Sequence, residues 1–173
     1  MSLIAPGLDV RLPAPGLPYP ALAERPLLSV TGHVPEPRSF SLAALKTMAR
    51  QQLGPIDVAC LTGRPVARVE SYGGVLLTDI LDGTGLPGLH RSELKRCVVI
   101  AMGDDGYQAL FSWCELYNSP IGARALVLFE REAQPLEGQI DGHLGELALI
   151  SAADTHIGPR HLRHLYSLTV RLL

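Results

Sequence analysis

RCVVIAMGDDGYQALFSWCELYN, residues 96–118, is the stretch that decides the architecture. Its first seven residues are apolar and β-branched, the composition of a buried strand. Asp104-Asp105-Gly106 is a tight turn, because Asp bonds its own backbone and Gly tolerates positive φ. YQALFS leads back, and WCELYN has the length of one helical turn. Downstream, RALVLFE (124–130), GELALIS (145–151) and LTVRLL (168–173) read as further strands, with EAQPLEG (132–138) as a turn region. Upstream, LLSVTGHV (27–34) is a short strand stopped by Pro35 and Pro37. Ser41 is placed to cap a helix over Leu42–Arg50, with Leu42, Leu45 and Met48 on one face. Gly54-Pro55 ends it. IDVACL (56–61) and VARVESY (66–72) are strands flanking a TGRP loop, and Gly73-Gly74 reads as a turn. In VLLTDILDGTGLP (75–87), Leu76, Leu77, Ile80 and Leu81 share a helical face, with Gly83 or Gly85 as the stop. Strands mixed with short helices, without regular βαβ alternation, predict a β-rich α+β fold.

The 173 residues fit one domain, and a chain of this size buries roughly 70% of its unfolded surface. Six of the 14 prolines fall in residues 1–26, a spacing that excludes helix and central strand. That segment is expected to be an extended arm, and 27–173 the folded domain. The net charge is −2, with no global basic field, so bulk nucleic-acid binding is not expected. No apolar run approaches the roughly 18 residues that span a membrane. The first residues do not read as a signal peptide, which leaves a cytoplasmic location, or a periplasmic one for a chain that has lost its leader. The basic residues are skewed to Arg, with Lys46 and Lys95 as the two lysines. Genome base composition accounts for most of that skew.

Cys60, Cys97 and Cys114 are odd in number and contain no CxxC pair, so neither a zinc knuckle nor a disulfide framework is expected. Cys60 is the suggestive one. It closes a strand just before Thr62-Gly63-Arg64-Pro65, where a neighbouring cation would favour the thiolate, the form that binds a soft metal or attacks an electrophile. The competing reading is a small buried apolar side chain. Cys97 and Cys114 are assigned to packing. DTHIGPRHLRHL (154–165) gathers His156, Arg160, His161, Arg163 and His164 around Gly158-Pro159. Arg forks and turn N–H groups suit an anion. A three-histidine zinc site and a loop whose arginines pair with the acidic stretch 130–146 are the alternatives. Tyr107, after its turn, is placed to reach a cavity mouth, and Phe111 and Trp113 are core or interface residues.

Five blocks in order, VTGHVPEPRSFSLAAL (30–45), VACLTGR (58–64), YGGVLLTDILDGTGLP (72–87), VVIAMGDDGYQALFSWCEL (98–116) and LISAADTHIGPRHLRHLYSLTV (149–170), resemble the sulfite-oxidase-like molybdopterin-dependent oxidoreductases in a short single-domain form. The resemblance covers about 27–172. It implies the sulfite oxidase fold, a molybdenum–molybdopterin cofactor, Cys60 as the thiolate ligand of the metal, and oxygen-atom transfer to or from a small-molecule substrate with a redox partner protein. It also implies Arg64, His156, Arg160 and His161 as the groups that hold the anionic cofactor, with Arg163 behind them. The chain departs from true sulfite oxidases in having only Arg64 and Arg68 after Cys60 where they have an Arg-rich stretch. A cofactor-free binding module that keeps the fold is the second reading. A cysteine–histidine hydrolase is the third, and requires Cys60 to bond a histidine.

Overall fold

The computed structural model describes residues 25–136 and 144–173. The expected proline arm therefore lies outside the described residues except for its last two, and Pro26 already opens the first strand.

Two five-stranded sheets and one hairpin carry the fold. In the first sheet, β1 (Pro26–Gly32) lies between β2 (Arg38–Ser41) and β12 (Leu165–Leu172), followed by β7 (Cys97–Gly103) and β8 (Gln108–Ser112). All pairs are antiparallel except β1 with β12, where Ser29 faces Ser167. In the second sheet, β3 (Arg50–Leu53), β6 (Tyr72–Leu76), β9 (Ala125–Arg131) and β10 (Gln134–Pro135) follow one another, and β11 (Ala148–Ser151) also pairs with β9. The hairpin is β4 (Ile56–Ala59) with β5 (Pro65–Val69). Four short helices join these: α1 (Leu42–Lys46), α2 (Leu77–Asp82), α3 (Arg91–Leu94) and α4 (Trp113–Asn118). No helix among the described residues is long and apolar enough to cross a membrane.

The second sheet is the middle layer, and β9 shows why. Its first five residues are all buried. Successive side chains point to opposite faces. Ala125, Val127 and Phe129 pack into the core shared with the first sheet and the helices. Leu126 and Leu128 pack the other way, onto Ile56, Val58 and Val69 of the hairpin. Each fully buried Val, Leu or Phe contributes about 1.5–3 kcal/mol. The hairpin thus docks through β-branched residues of alternating strands, and this holds the Cys60 loop at its tip.

Several expectations shift in detail. Ser41 caps α1 as predicted, its hydroxyl accepting from the Ala44 N–H at 3.1 Å. The helix stops at Lys46, however, because Arg50–Leu53 pairs with β6 instead, Arg50 facing Val75 and Leu53 facing Tyr72. A short helix is marginal, and a strand ladder overrides its continuation. Gly73-Gly74 is not a turn: both residues lie inside β6, at a bulge against β9. A Cβ on Gly74 would stand 2.2 Å from the Val127 carbonyl oxygen, so the pair is there to let two backbones approach. Cys97 is buried as expected, whereas Cys114 is exposed, because it falls on the outer side of α4. Phe111 is core, and half-buried Trp113 stacks on Tyr117 at 5.2 Å between ring centroids.

Candidate functional site

Cys60 begins the tip of the β4–β5 hairpin. The loop is closed by the Cys60 N–H donating to the Arg64 carbonyl at 3.0 Å and the Gly63 N–H donating to the Cys60 carbonyl at 2.8 Å. Gly63 takes φ +78°, which only glycine adopts without strain. This turn sets the Cys60 Sγ 3.0 Å from the Thr62 hydroxyl. Thr62, through its side chain and then its backbone, lowers the thiol pKa, and Arg64 adds to the effect against the opposing influence of desolvation. A thiol so placed is half-buried yet reachable.

The opposite wall is the segment 156–163. It contains a 3-10 turn, Gly158–Arg160, with Pro159 in its first turn. Leu162 pins the segment to β11 by a two-way backbone bridge with Leu149, both bonds at 2.8 Å. Gly158 presses directly on the hairpin tip: a Cβ there would lie 2.5 Å from the Ala59 carbonyl oxygen and 3.2 Å from the Cys60 Cα. A Cβ on Gly63 would lie 3.5 Å from the His156 ring, so the two loops also meet at a second point.

Between them opens a cavity of about 620 Å³. Cys60 lines it beside Val58, Val66 and Val69 of the hairpin. Tyr72, His161, Arg131 and Arg163 line it too, and Tyr107 and Pro159 stand together, the Tyr107 hydroxyl donating to the Pro159 carbonyl at 2.8 Å. Cys60 and the 158–161 turn therefore share one cavity. His161 is largely enclosed, with the Tyr72 hydroxyl 3.5 Å from its Nε2 and the two rings edge to face at 5.7 Å. Burial, then the charges of Arg163 and Arg131, push its pKa down to about 4. At neutral pH it is an uncharged imidazole, a hydrogen-bonding group and not a cation.

Arg160 has a different place from the one the sequence suggested. It does not line the cavity. Its Nε donates to Asp154 at 2.7 Å, and one Nη donates to both Glu115 at 3.1 Å and the Leu110 carbonyl at 3.2 Å. The remaining Nη also meets Asp154, and the guanidinium lies over Phe111 at 4.4 Å. The fork is thus engaged by two carboxylates of its own chain, and it ties the 3-10 turn to β8 and α4. Arg64 and His156 flank the Cys60 loop without lining the cavity. No group of three metal-binding side chains forms among the described residues, so the three-histidine zinc alternative is not assembled. Nor is Cys60 hydrogen-bonded to a histidine among the described residues; its thiol partner is Thr62. The acidic stretch 130–146 lies partly outside the described residues, and the carboxylates that Arg160 meets are Asp154 and Glu115.

In overall shape the chain is similar to the sulfane dehydrogenase SoxCD from Paracoccus pantotrophus. The likeness has a TM-score of 0.62 at 14% identity, and covers 88% of this chain and 39% of that one. No protein-family pattern matches the chain, and no curated protein matches it. At that identity the likeness to SoxCD is one of fold, and it bears out the strand-rich α+β fold expected from the sulfite-oxidase resemblance. The chain spans well under half the length of the sulfane dehydrogenase chain it matches.

Tyr72 and Arg131 are among the lining residues that escaped the sequence reading. They are cross-strand partners in β6 and β9, which is how two residues far apart in sequence reach the same cavity. The available signal was the first charged side chains after an apolar run in 124–131, which mark where β9 leaves the core. The environment also separates the cysteines. Iodoacetamide at pH 7.5 should modify Cys60 faster than an unperturbed thiol, because the lowered pKa raises the share of thiolate, the nucleophile. Cys97, buried and with its pKa raised by desolvation, should stay unmodified until the protein unfolds. Peptide mass spectrometry over a time course measures both.

Proposed function

We propose that this chain is a molybdopterin-type cofactor domain in which Cys60 ligates the metal, and that it serves two-electron oxygen-atom transfer on a small molecule. The observation that carries the reading is the shared cavity: a thiol biased toward thiolate on one wall and the 158–163 segment on the other, facing a space of about 620 Å³. The residues fit such a group in three respects. Cofactor and ligand sites run to roughly 300–1,000 Å³. A soft thiolate is the donor that a molybdenum–dithiolene centre accepts from protein, and one such donor suffices because the pterin supplies the others. The lining carries two guanidiniums, Arg131 and Arg163, and no carboxylate among the described residues, as an anionic phosphate tail requires.

In this reading Cys60 holds the metal, Arg131 holds the anionic part, and neutral His161 with Tyr72 supplies directional hydrogen bonds. Arg64 and His156 flank the Cys60 loop. Arg160 acts one step back, by fixing the turn that carries Gly158 and His161. When bound, the cofactor supplies the redox chemistry. The protein supplies the ligand, the orientation and a partly enclosed apolar surround that strengthens every charge in it. Two electrons must enter or leave for each turnover, so the reading includes an external redox partner.

The test is metal and pterin content after expression in a host that makes molybdenum cofactor. Wild-type protein should carry about one molybdenum and one oxidisable pterin per chain, and Cys60→Ser should carry less than about a tenth of that metal, as loss of a first ligand implies. Wild-type protein free of both metal and pterin would overturn the reading and favour the cofactor-free binding module.

A further inference from the structure

Three of the large apolar side chains that are exposed among the described residues gather at the Cys60 cavity. Leu61 is 75% exposed, Val66 is 61% exposed and Tyr107 is 48% exposed, and all three line this one opening. A single exposed leucine means nothing, since much of any protein surface is apolar. Three large apolar side chains around one mouth form a collar, and such clusters mark ligand or partner sites. Leu61 is at the hairpin tip next to Cys60, Val66 is on β5, and Tyr107 is anchored from the far side by its bond to Pro159. The collar is therefore built from two independent parts of the chain that have no need of it for folding.

Charge adds the second half. Arg131 and Arg163 line the same cavity, and no Asp or Glu does so among the described residues. Arg131 has Glu132 at 3.9 Å, while Arg163 is exposed and in no ion pair among the described residues. An apolar collar over a guanidinium is complementary to a molecule with an apolar body and an anionic head. A small inorganic oxyanion, only a few water volumes of ~30 Å³ each, would satisfy the arginine and leave the collar uncovered.

We propose that the Cys60 cavity takes an amphipathic organic anion, its apolar body against Leu61, Val66 and Tyr107 and its charged head toward Arg163. The proposal rests on the Cys60 cavity being the working site, and it names the substrate class of that site. It does not depend on the metal, because the collar and the arginine belong to the chain.

The test uses Cys60 itself as the reporter and exposed Cys114 as an internal reference in the same chain. Cys60 alkylation by iodoacetamide is followed in the presence of octanesulfonate, sulfate at equal ionic strength, or neutral octyl glucoside. Octanesulfonate should slow Cys60 by about tenfold at saturation, the population shift of a ligand with a preference of that size, with Cys114 unchanged. Sulfate and octyl glucoside should each slow it less than about twofold. Arg163→Gln should abolish the difference between octanesulfonate and octyl glucoside. Leu61→Asp and Val66→Asp, at exposed positions where folding tolerates the change, should abolish protection altogether. Protection by sulfate equal to that by octanesulfonate, protection that survives both aspartate variants, or no protection by any probe would each overturn the proposal. Molybdenum content of the same preparations reports separately on the cofactor reading, so either can fail while the other stands.

Discussion

Gly158→Val should part the two walls of the cavity. The valine Cβ would start 2.5 Å from the Ala59 carbonyl oxygen and 3.2 Å from the Cys60 Cα, and both are backbone atoms that cannot rotate away. The 3-10 turn is held from behind by the Leu149–Leu162 bridge and by Arg160, whereas the hairpin tip is a two-stranded ribbon. Two-stranded ribbons are marginal structures, so the hairpin is the part that yields. Overpacking of this kind costs about 1–3 kcal/mol. For a chain of this size that lowers Tm by about 2–4 °C per kcal/mol. The site should suffer more than the fold: Cys60 moves off its seat against Gly158, and, on the proposed cofactor reading, bound molybdenum should fall at least about tenfold. Calorimetry with metal analysis reads both. A Gly158→Val protein with wild-type Tm and wild-type metal would show that the contact does not set the site.

Arg160→Met should cost more stability than any other single change around the cavity. Methionine keeps much of the stem but leaves Asp154 and Glu115 without their cation, and the Asp154 side chain is only 14% exposed. Stranding a mostly buried carboxylate costs about 3 kcal/mol. Arg160→Lys should recover only part of this, since one ammonium cannot reach Asp154, Glu115 and the Leu110 carbonyl together. The pH dependence follows from Glu115. Burial alone would raise its pKa, but bonds from the Ser112 N–H and hydroxyl and from Arg160 outweigh that and hold it below the ordinary value. A depressed folded pKa means that this stabilisation is complete above the unfolded glutamate pKa of about 4.3 and is lost as pH falls through the folded one. Urea titrations of wild type and variant should therefore differ most near pH 7 and converge in acid. A gap that stays constant or widens on acidification would count against the carboxylate network as its cause.

Much of the fold was readable because most strands carry their own signal. ALVLFE and ALIS are apolar where the sheet buries both faces, CVVIAM is apolar and β-branched although its burial alternates, and Ser41 and Asp104-Asp105-Gly106 have local chemistry that needs no tertiary context. β3 and β6 were hidden for opposite reasons. Arg50-Gln51-Gln52 has no strand composition and becomes one only through its ladder with β6. Gly73-Gly74 has turn composition, and its role comes from a neighbouring backbone. The site divides in the same way. Cys60 and the segment after Asp154 were visible as motifs, and the structure brings both to one cavity. Arg160 could not be sorted from Arg163 by sequence, because which guanidinium meets an internal carboxylate depends on where β8 and α4 bring Glu115. Arg131 had only the weak signal of a charge after an apolar run, and its meeting with Tyr72 depends on register.

The parallel pairing of β1 with β12 has a consequence for how the protein comes into being. Ser29 waits for Ser167, so the first sheet has a gap at its centre until β12 emerges from the ribosome. β1 and β2 can form a hairpin early, and β7 with β8 another, but neither has the partner that joins them. Contacts this remote in sequence are slow to form, because the loop between them must close first. The walls of the Cys60 cavity inherit that timing: the 156–163 segment leads straight into β12, so its pocket takes shape only once that strand is made. A ligand can then meet a complete site only after β12 has paired, however early the hairpin tip that carries Cys60 has formed.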